Sequence, residues 1–438
     1  MTAEIAIMNR QAIALAADSA VTRQQEKGQK IFVSANKIFT LSKYCPVGIM
    51  VFGSASFMGV PWETVVKVYR NELGEQELAN LTDYSQHFIA FLSNNRWLFP
   101  ESEQDKYATR TIYSYFSFMR DSIKQKVEKL MCEKRSVTRT EVRAVTRDTI
   151  KAHGNLWANF DSLASLPENW DNSLKSRYSV TAEKAIKDVF ENLPISKLLL
   201  AELLNIALSL LSKCPAEFDA PGFSGVVIAG FGRQDVFPCL QSFKMEGIVN
   251  NQLKYRQAGD YAISRDNGAA LIPFAQSEMV STFMEGVDPD YQAAIEGDLR
   301  QLLEEYPDLI VDSIVGLSDG QGRSLKRRLR RGSNERLESY VSKLKRHRRE
   351  RYWGPVVSVV EMLPKDELAA MAESLVNLTS FKRRISLDAE TVGGPIDVAV
   401  ISKGDGFIWI KRKHYFSAEL NPQFAATYYR SSSNGQED

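Results

Sequence analysis

Ile5 and Ile7 recur with a period of two in residues 3–8, AEIAIM, and residues 12–17, AIALAA, alternate again before Asp18. Asn9-Arg10 between the two runs reads as a turn, so a β-hairpin is predicted at the start of the chain. A loop rich in Gln, Lys and Gly is predicted from Arg23 to Gln29. Lys37–Leu41 reads as a third strand and Val47–Phe52, VGIMVF, as a fourth, broken by Gly53-Ser54-Ala55-Ser56. Residues 57 to about 215 carry mostly helical periodicity, with aromatic-rich stretches such as Ile112–Phe118.

Strand patterns return at Phe223–Phe231, Val236–Phe243 and Gly247–Tyr255. Helical patterning covers Asp290–Glu305 and Lys365–Lys382. Ile396–Ile401 and Phe407–Lys413 are the last predicted strands, joined at Lys403-Gly404-Asp405-Gly406, where Asp-Gly between alternating apolar runs is a strong hairpin signal. The tail after about Asn421 reads as frayed. Strands at both ends and in the middle, with helices between, give an α+β organisation.

The length of 438 residues admits one large domain with insertions, or two to three domains. Apolar residues at 44% and charged residues at 25% exclude a wholly disordered, collagen-like or coiled-coil chain. Four cysteines (Cys45, Cys132, Cys214, Cys239) and four histidines (His87, His153, His347, His414) are scattered, without CxxC or HExxH spacing. Neither a disulfide framework nor a metal site is expected, no cofactor is implied, and a reduced cytoplasmic setting fits best. MTAEIAIMNRQ has no basic segment followed by a long apolar one, so no secretory leader is expected. The longest apolar stretch, Ile195–Leu211, contains Lys197, Glu202 and Asn205 and reads as a buried helix, with no membrane association.

The net charge is only +1, yet residues 323–351 carry 13 Lys and Arg against three Glu. That stretch is therefore +10 and the remainder −9. Lys326, Arg327, Arg328, Arg330, Arg331, Arg346, Arg348 and Arg349 are candidate contacts for an anion or an acidic partner. Nucleic-acid phosphate is the lesser expectation beside a solvated helical face.

The sharpest chemistry lies at the start. Removal of Met1 would expose Thr2 with a free α-amine, which can serve as base for its own hydroxyl. A lysine near that pair, Lys37, would favour the deprotonated forms, and Asp18 would hold the lysine. Gly53 could offer its N–H to a developing oxyanion.

MTAEIAIMNRQAIALAADSAVT, KIFTLSKYCPVGIMVFGSAS, SGVVIAGFG (Ser224–Gly232) and TVGGPIDVAVISKGDGFIWI (Thr391–Ile410) together resemble proteasome β-subunits and their bacterial relatives, the HslV-type peptidases and the Anbu family. These are N-terminal-nucleophile (Ntn) hydrolases. Thr2, Asp18, Lys37 and Gly53 occupy the family's places. The sixteen residues from Thr2 to Asp18 match its spacing, while the sixteen from Lys37 to Gly53 exceed it by about two. Before the final Gly393-Gly394, where proteasome subunits carry Asp and Ser, this chain has Ala389 and Val392. Asp388, Glu390 and Thr391 are the candidate substitutes, and Ser277 stands for the family's mid-chain serine.

The resemblance implies a four-layer αββα sandwich with two helical insertions. It divides the chain into 1–56 (first part of the Ntn core), 57–219 (a mostly helical segment and insertion), 220–289 (central strands of the core), 290–355 (strongly basic helical insertion), 356–420 (final helix and strands of the core) and 421–438 (flexible tail). It implies a threonine hydrolase, a peptidase foremost, acting on a polypeptide or amide and self-assembling into a ring or helical stack. An ATP-dependent unfoldase partner follows by analogy only. The alternatives are a catalytically silent scaffold on the same fold and a nucleic-acid-associated protein acting through the basic stretch.

Overall fold

The structure is a computed structural model that describes residues 3–25, 28–32, 35–163, 166–167, 169–216, 222–386, 392–414, 416–417 and 419–423, with backbone alone for 22–31. In chain order the strands are β1 (Ala3–Asn9), β2 (Ala12–Ala17), β3 (Val21–Gln25), β4 (Gly28–Phe32), β5 (Ile38–Thr40), β6 (Val47–Gly53), β7 (Ser56–Phe57) and β8 (Val60–Pro61). Six helices follow: α1 (Trp62–Leu73), α2 (Leu81–Asn94), α3 (Glu101–Lys134), α4 (Arg139–Ala158), α5 (Trp170–Val189) and α6 (Lys197–Ser212). Then come β9 (Ser224–Gly230), β10 (Cys239–Val249), β11 (Gln252–Ala262), β12 (Ala269–Ala275), α7 (Glu278–Glu285), α8 (Pro289–Asp312) and α9 (Asp319–Arg348). A π-helical turn, Arg349–Trp353, leads α9 into α10 (Gly354–Met362), and α11 (Lys365–Ile385), β13 (Asp397–Ser402) and β14 (Gly406–Lys411) complete the described elements. The class is α+β with antiparallel sheets. No helix among the described residues is long and apolar enough to cross a membrane.

The chain divides into two compact units, Met1–Ile38 with Ala262–Asp438, and Phe39–Tyr261. The first unit holds a five-stranded sheet in the order β12-β1-β2-β13-β14. Chain ends thus meet in one sheet, with β13 antiparallel to β2 and Asp397 opposite Ala17. Ala12, Ala14 and Ala16 of β2 and Ala369 and Ala372 of α11 share one buried cluster. Small residues on both surfaces let the helix approach the sheet closely. Ile5, Ile7, Leu368, Leu375 and Val376 fill the spaces beside them.

The second unit holds the sheet β11-β10-β9-β6-β5. Trp62, Tyr69 and Phe88 of α1 and α2 pack with Val47, Ile49, Val226 and Ile228 of the sheet. The Trp62 indole donates to Ser224 Oγ at 3.0 Å, so its buried N–H is satisfied. A second cluster joins α3 to α6 through Ile112, Phe116, Leu174, Leu203 and Leu211. The apolar stretch read as a buried helix is α6, whose Leu203, Ile206 and Leu210 are buried.

Four details differ from the sequence reading. Arg23–Gln29, expected as a loop, belongs to the two-stranded ribbon β3–β4, with Val21 opposite Phe32. A ladder of backbone hydrogen bonds needs no apolar alternation, so polar composition hid it. The runs expected at 236–243 and 247–255 are instead β10 and β11, which turn at Asn250-Asn251 (φ 46° and 63°). Gly247, inside β10, leaves room for the Tyr107 ring, which a Cβ there would meet at 2.6 Å. β12, which contains Pro273, was not expected; it lies at the sheet edge, where a missing N–H is tolerated.

Candidate active site

Antiparallel pairing of β1 and β2 sets Glu4 opposite Ala17, and Asp18 leaves the ladder at the same end. Asp18 is fully buried. Its Oδ1 accepts from the Ala3 N–H at 3.1 Å. Its Oδ2 accepts from Gly393 N at 2.9 Å and from Ala20 N at 3.3 Å. Lys37 Nζ pairs with Oδ1. Three N–H donors and an ammonium meet the demand of a carboxylate removed from water.

Lys37, immediately before β5, is also buried, and its ammonium lies 3.1 Å from Glu4 Oε1. Ser19 is buried beside Asp18: its N–H donates to Gly393 O at 3.2 Å and its hydroxyl to Pro395 O. The VGGP segment is thereby tied to the end of β2. Its backbone is unusual, with φ of 154° at Gly393 and 82° at Gly394.

A second buried ion pair adjoins these groups. Asp397, at the start of β13, takes the Lys413 N–H at 2.8 Å on Oδ1 and the Lys413 ammonium on Oδ2. Burial pulls the Lys413 pKa below its ordinary value; Asp397 opposes that pull, and the charges of Lys37 and Asp18 also act on it. The two pairs therefore lie within electrostatic reach of each other.

The expected residues fall as follows. Asp18 and Lys37 come together. Thr2, Asp388 and Thr391, as well as Glu390, lie outside the described residues. Ser277 is exposed and precedes α7 without a side-chain capping bond; Ala275 pairs with Ala3, so Ser277 leaves β12 at the end where β1 starts. Gly53 belongs to the second unit and ends β6 with φ 79°. A Cβ at Gly53 would stand 2.7 Å from Phe223 O, so the position requires glycine.

Sequence reasoning missed Glu4, Ser19, Asp397 and Lys413. A signal existed for Glu4, an acid inside the otherwise apolar AEIAIM. For Lys413 there was none, because its partner lies sixteen residues earlier, across a hairpin.

The basic stretch forms most of α9 and pairs with α8. Lys326 reaches Asp312 at 3.0 Å and Asp308 at 3.4 Å, and Arg330 reaches Asp308 at 2.8 Å. Arg331 pairs within its own helix with Glu335 at 2.9 Å, and Arg348 pairs with Glu285 at 3.2 Å. Arg327, Arg328, Arg346 and Arg349 are exposed. Helix α8 carries seven acids and one base, and α9 eleven bases and three acids, so the two together carry only +2.

Comparison with known protein families and with curated proteins returns no match for this chain.

Proposed function

We propose that the chain is a proteasome-like threonine hydrolase, a peptidase foremost, on an αββα sandwich. The observation that carries this reading is the buried Asp18 carboxylate, which binds both the Lys37 ammonium and the N–H of Ala3, the residue joined to Thr2. In the proposed chemistry Thr2 Oγ attacks the scissile carbonyl carbon, and the α-amine takes the hydroxyl proton. The amine returns the proton to the departing amine of the substrate, and water then cleaves the acyl-enzyme ester. Lys37 favours the deprotonated groups through its charge, Asp18 orients Lys37, and the Gly53 N–H receives the oxyanion. Ring or helical self-assembly and a polypeptide or amide substrate belong to the same proposal.

A scaffold without catalysis is the second reading. Buried Val392 favours it, since proteasome subunits carry a serine at that place. Intact mass of the purified protein, followed by labelling with a peptide epoxyketone, separates the two. Loss of Met1 and a Thr2 adduct, the adduct absent in Thr2→Ala, support the hydrolase. A folded, assembled protein that retains Met1 and takes no label overturns it.

A further inference from the structure

Helix α3 presents Tyr107, Arg110, Thr111, Ser114, Tyr115 and Phe118 at helical spacing, and this stripe lines one side of a cavity of 580 Å³ inside the second unit. That volume suits a small organic ligand. Phe57, Met58, Trp157 and Leu210 add an apolar and aromatic wall. Met58 holds a left-handed backbone (φ 48°), and its Sδ accepts the Ile248 N–H at 3.1 Å. A bulky residue in that conformation is uncommon, and such strain concentrates where a ligand is held.

Glu246 of β10 and Lys254 of β11 also line the cavity and are buried as an ion pair. Their bonding is complete within the protein: Lys254 Nζ also donates to Leu210 O at 2.6 Å, and Cys214 Sγ donates to Glu246 Oε1 at 3.2 Å. Burial and the Glu246 charge push the Cys214 thiol up to about 12, so it stays a donor. With that pair cancelling, the charged lining residues sum to +1, from Arg110.

Among the described residues, one fully buried polar atom of the lining is unmatched. Tyr107 is 8% exposed, and its buried hydroxyl has no hydrogen-bond partner. Burial, and then the Glu246 charge, hold its pKa well above the ordinary value, against the nearby Thr111 hydroxyl and the Arg110 charge, so the phenol remains a donor. A buried hydroxyl without an acceptor is costly, and a ligand supplying one removes that cost.

We propose that this cavity binds a small carboxylate with an aromatic or branched aliphatic body: the body against Phe57, Tyr115 and Trp157, and the carboxylate accepting from Tyr107 and Arg110. The site goes beyond the hydrolytic reading and uses none of its residues. An unpaired carboxylate oxygen suits the phenol, and the guanidinium supplies the counter-charge.

The test is calorimetric titration with 3-phenylpropanoate and, separately, 3-phenylpropanamide. The acid is expected to bind at least about tenfold tighter than the amide, and Arg110→Gln to abolish that preference. Tyr107→Phe should weaken the acid by about three- to tenfold. Ser114→Trp, at an exposed position of the lining, should block both probes while the circular dichroism spectrum is unchanged. Thr2→Ala should bind as the parent does, which keeps this result separate from hydrolysis. Equal binding of acid and amide, no binding up to about 10 mM, or binding that survives Ser114→Trp would overturn the proposal.

Discussion

Lys37 Nζ lies 3.1 Å from Glu4 Oε1, and both side chains are almost wholly removed from solvent. Glu4 sits in the middle of an apolar run, where burying a carboxylate is unfavourable unless a cation and hydrogen bonds offset it. Lys37 thus bridges two carboxylates, Glu4 on β1 and Asp18 after β2.

Lys37→Ala leaves two buried acids without their shared cation. The expected loss is about 3–5 kcal/mol of stability, the cost of breaking a buried pair by removing one partner. Urea denaturation checks this, and a midpoint equal to the parent's would show that the bridge does not form. Under the proposed mechanism the variant also loses turnover.

Glu4→Gln keeps an oxygen for the ammonium but removes the charge, while Lys37 retains Asp18. A smaller loss, about 1–3 kcal/mol, is expected. The order of the two variants is the prediction: denaturation midpoints should fall from parent to Glu4→Gln to Lys37→Ala.

Gly53→Ala combines a left-handed backbone (φ 79°) with a Cβ 2.7 Å from Phe223 O. Gly59 has a similar φ of 85° but no atom within 4 Å of its would-be Cβ. Gly59→Ala should therefore cost about 1–2 kcal/mol from the backbone alone, and Gly53→Ala more. Thermal denaturation of the two variants side by side tests the difference.

His153 supplies a pH dependence. Its Nδ1 lies 2.8 Å from the Tyr115 hydroxyl, which accepts the Trp157 indole N–H at 2.6 Å. Burial, and then the Lys126 charge, hold the His153 pKa below its ordinary 6.5. As pH falls below 6.5 the unfolded chain binds a proton that the folded one does not, so stability drops until the lower folded value is passed. Urea midpoints at pH 7 and about pH 5 should show this slope in the parent and a flatter one in His153→Gln. Equal slopes would remove His153 as the cause.

Much of the local structure is legible from the sequence because single rules govern it. AIALAA alternates and has a small-residue face, and Asp405-Gly406 marks the hairpin of β13 and β14. Asp18 and Lys37 stand out because acid and base flank strands. The partners of Asp18 and Ser19 are less legible, since Gly393 and Pro395 act through backbone atoms. The pairing of α8 with α9 is hidden for another reason. A count of charges along the chain shows the basic run but not the acidic helix folded beside it, whose Asp308 alone meets both Lys326 and Arg330.

The Gly393 bond to Asp18 joins residues 375 positions apart. A ribosome releases Asp18 early, with its hairpin partner already made, but Gly393 and Pro395 emerge only after the helices and the whole second unit. The nascent chain therefore carries an unfinished carboxylate until those residues appear. If Thr2 is the nucleophile, the order of translation itself delays its setting until Gly393 has emerged.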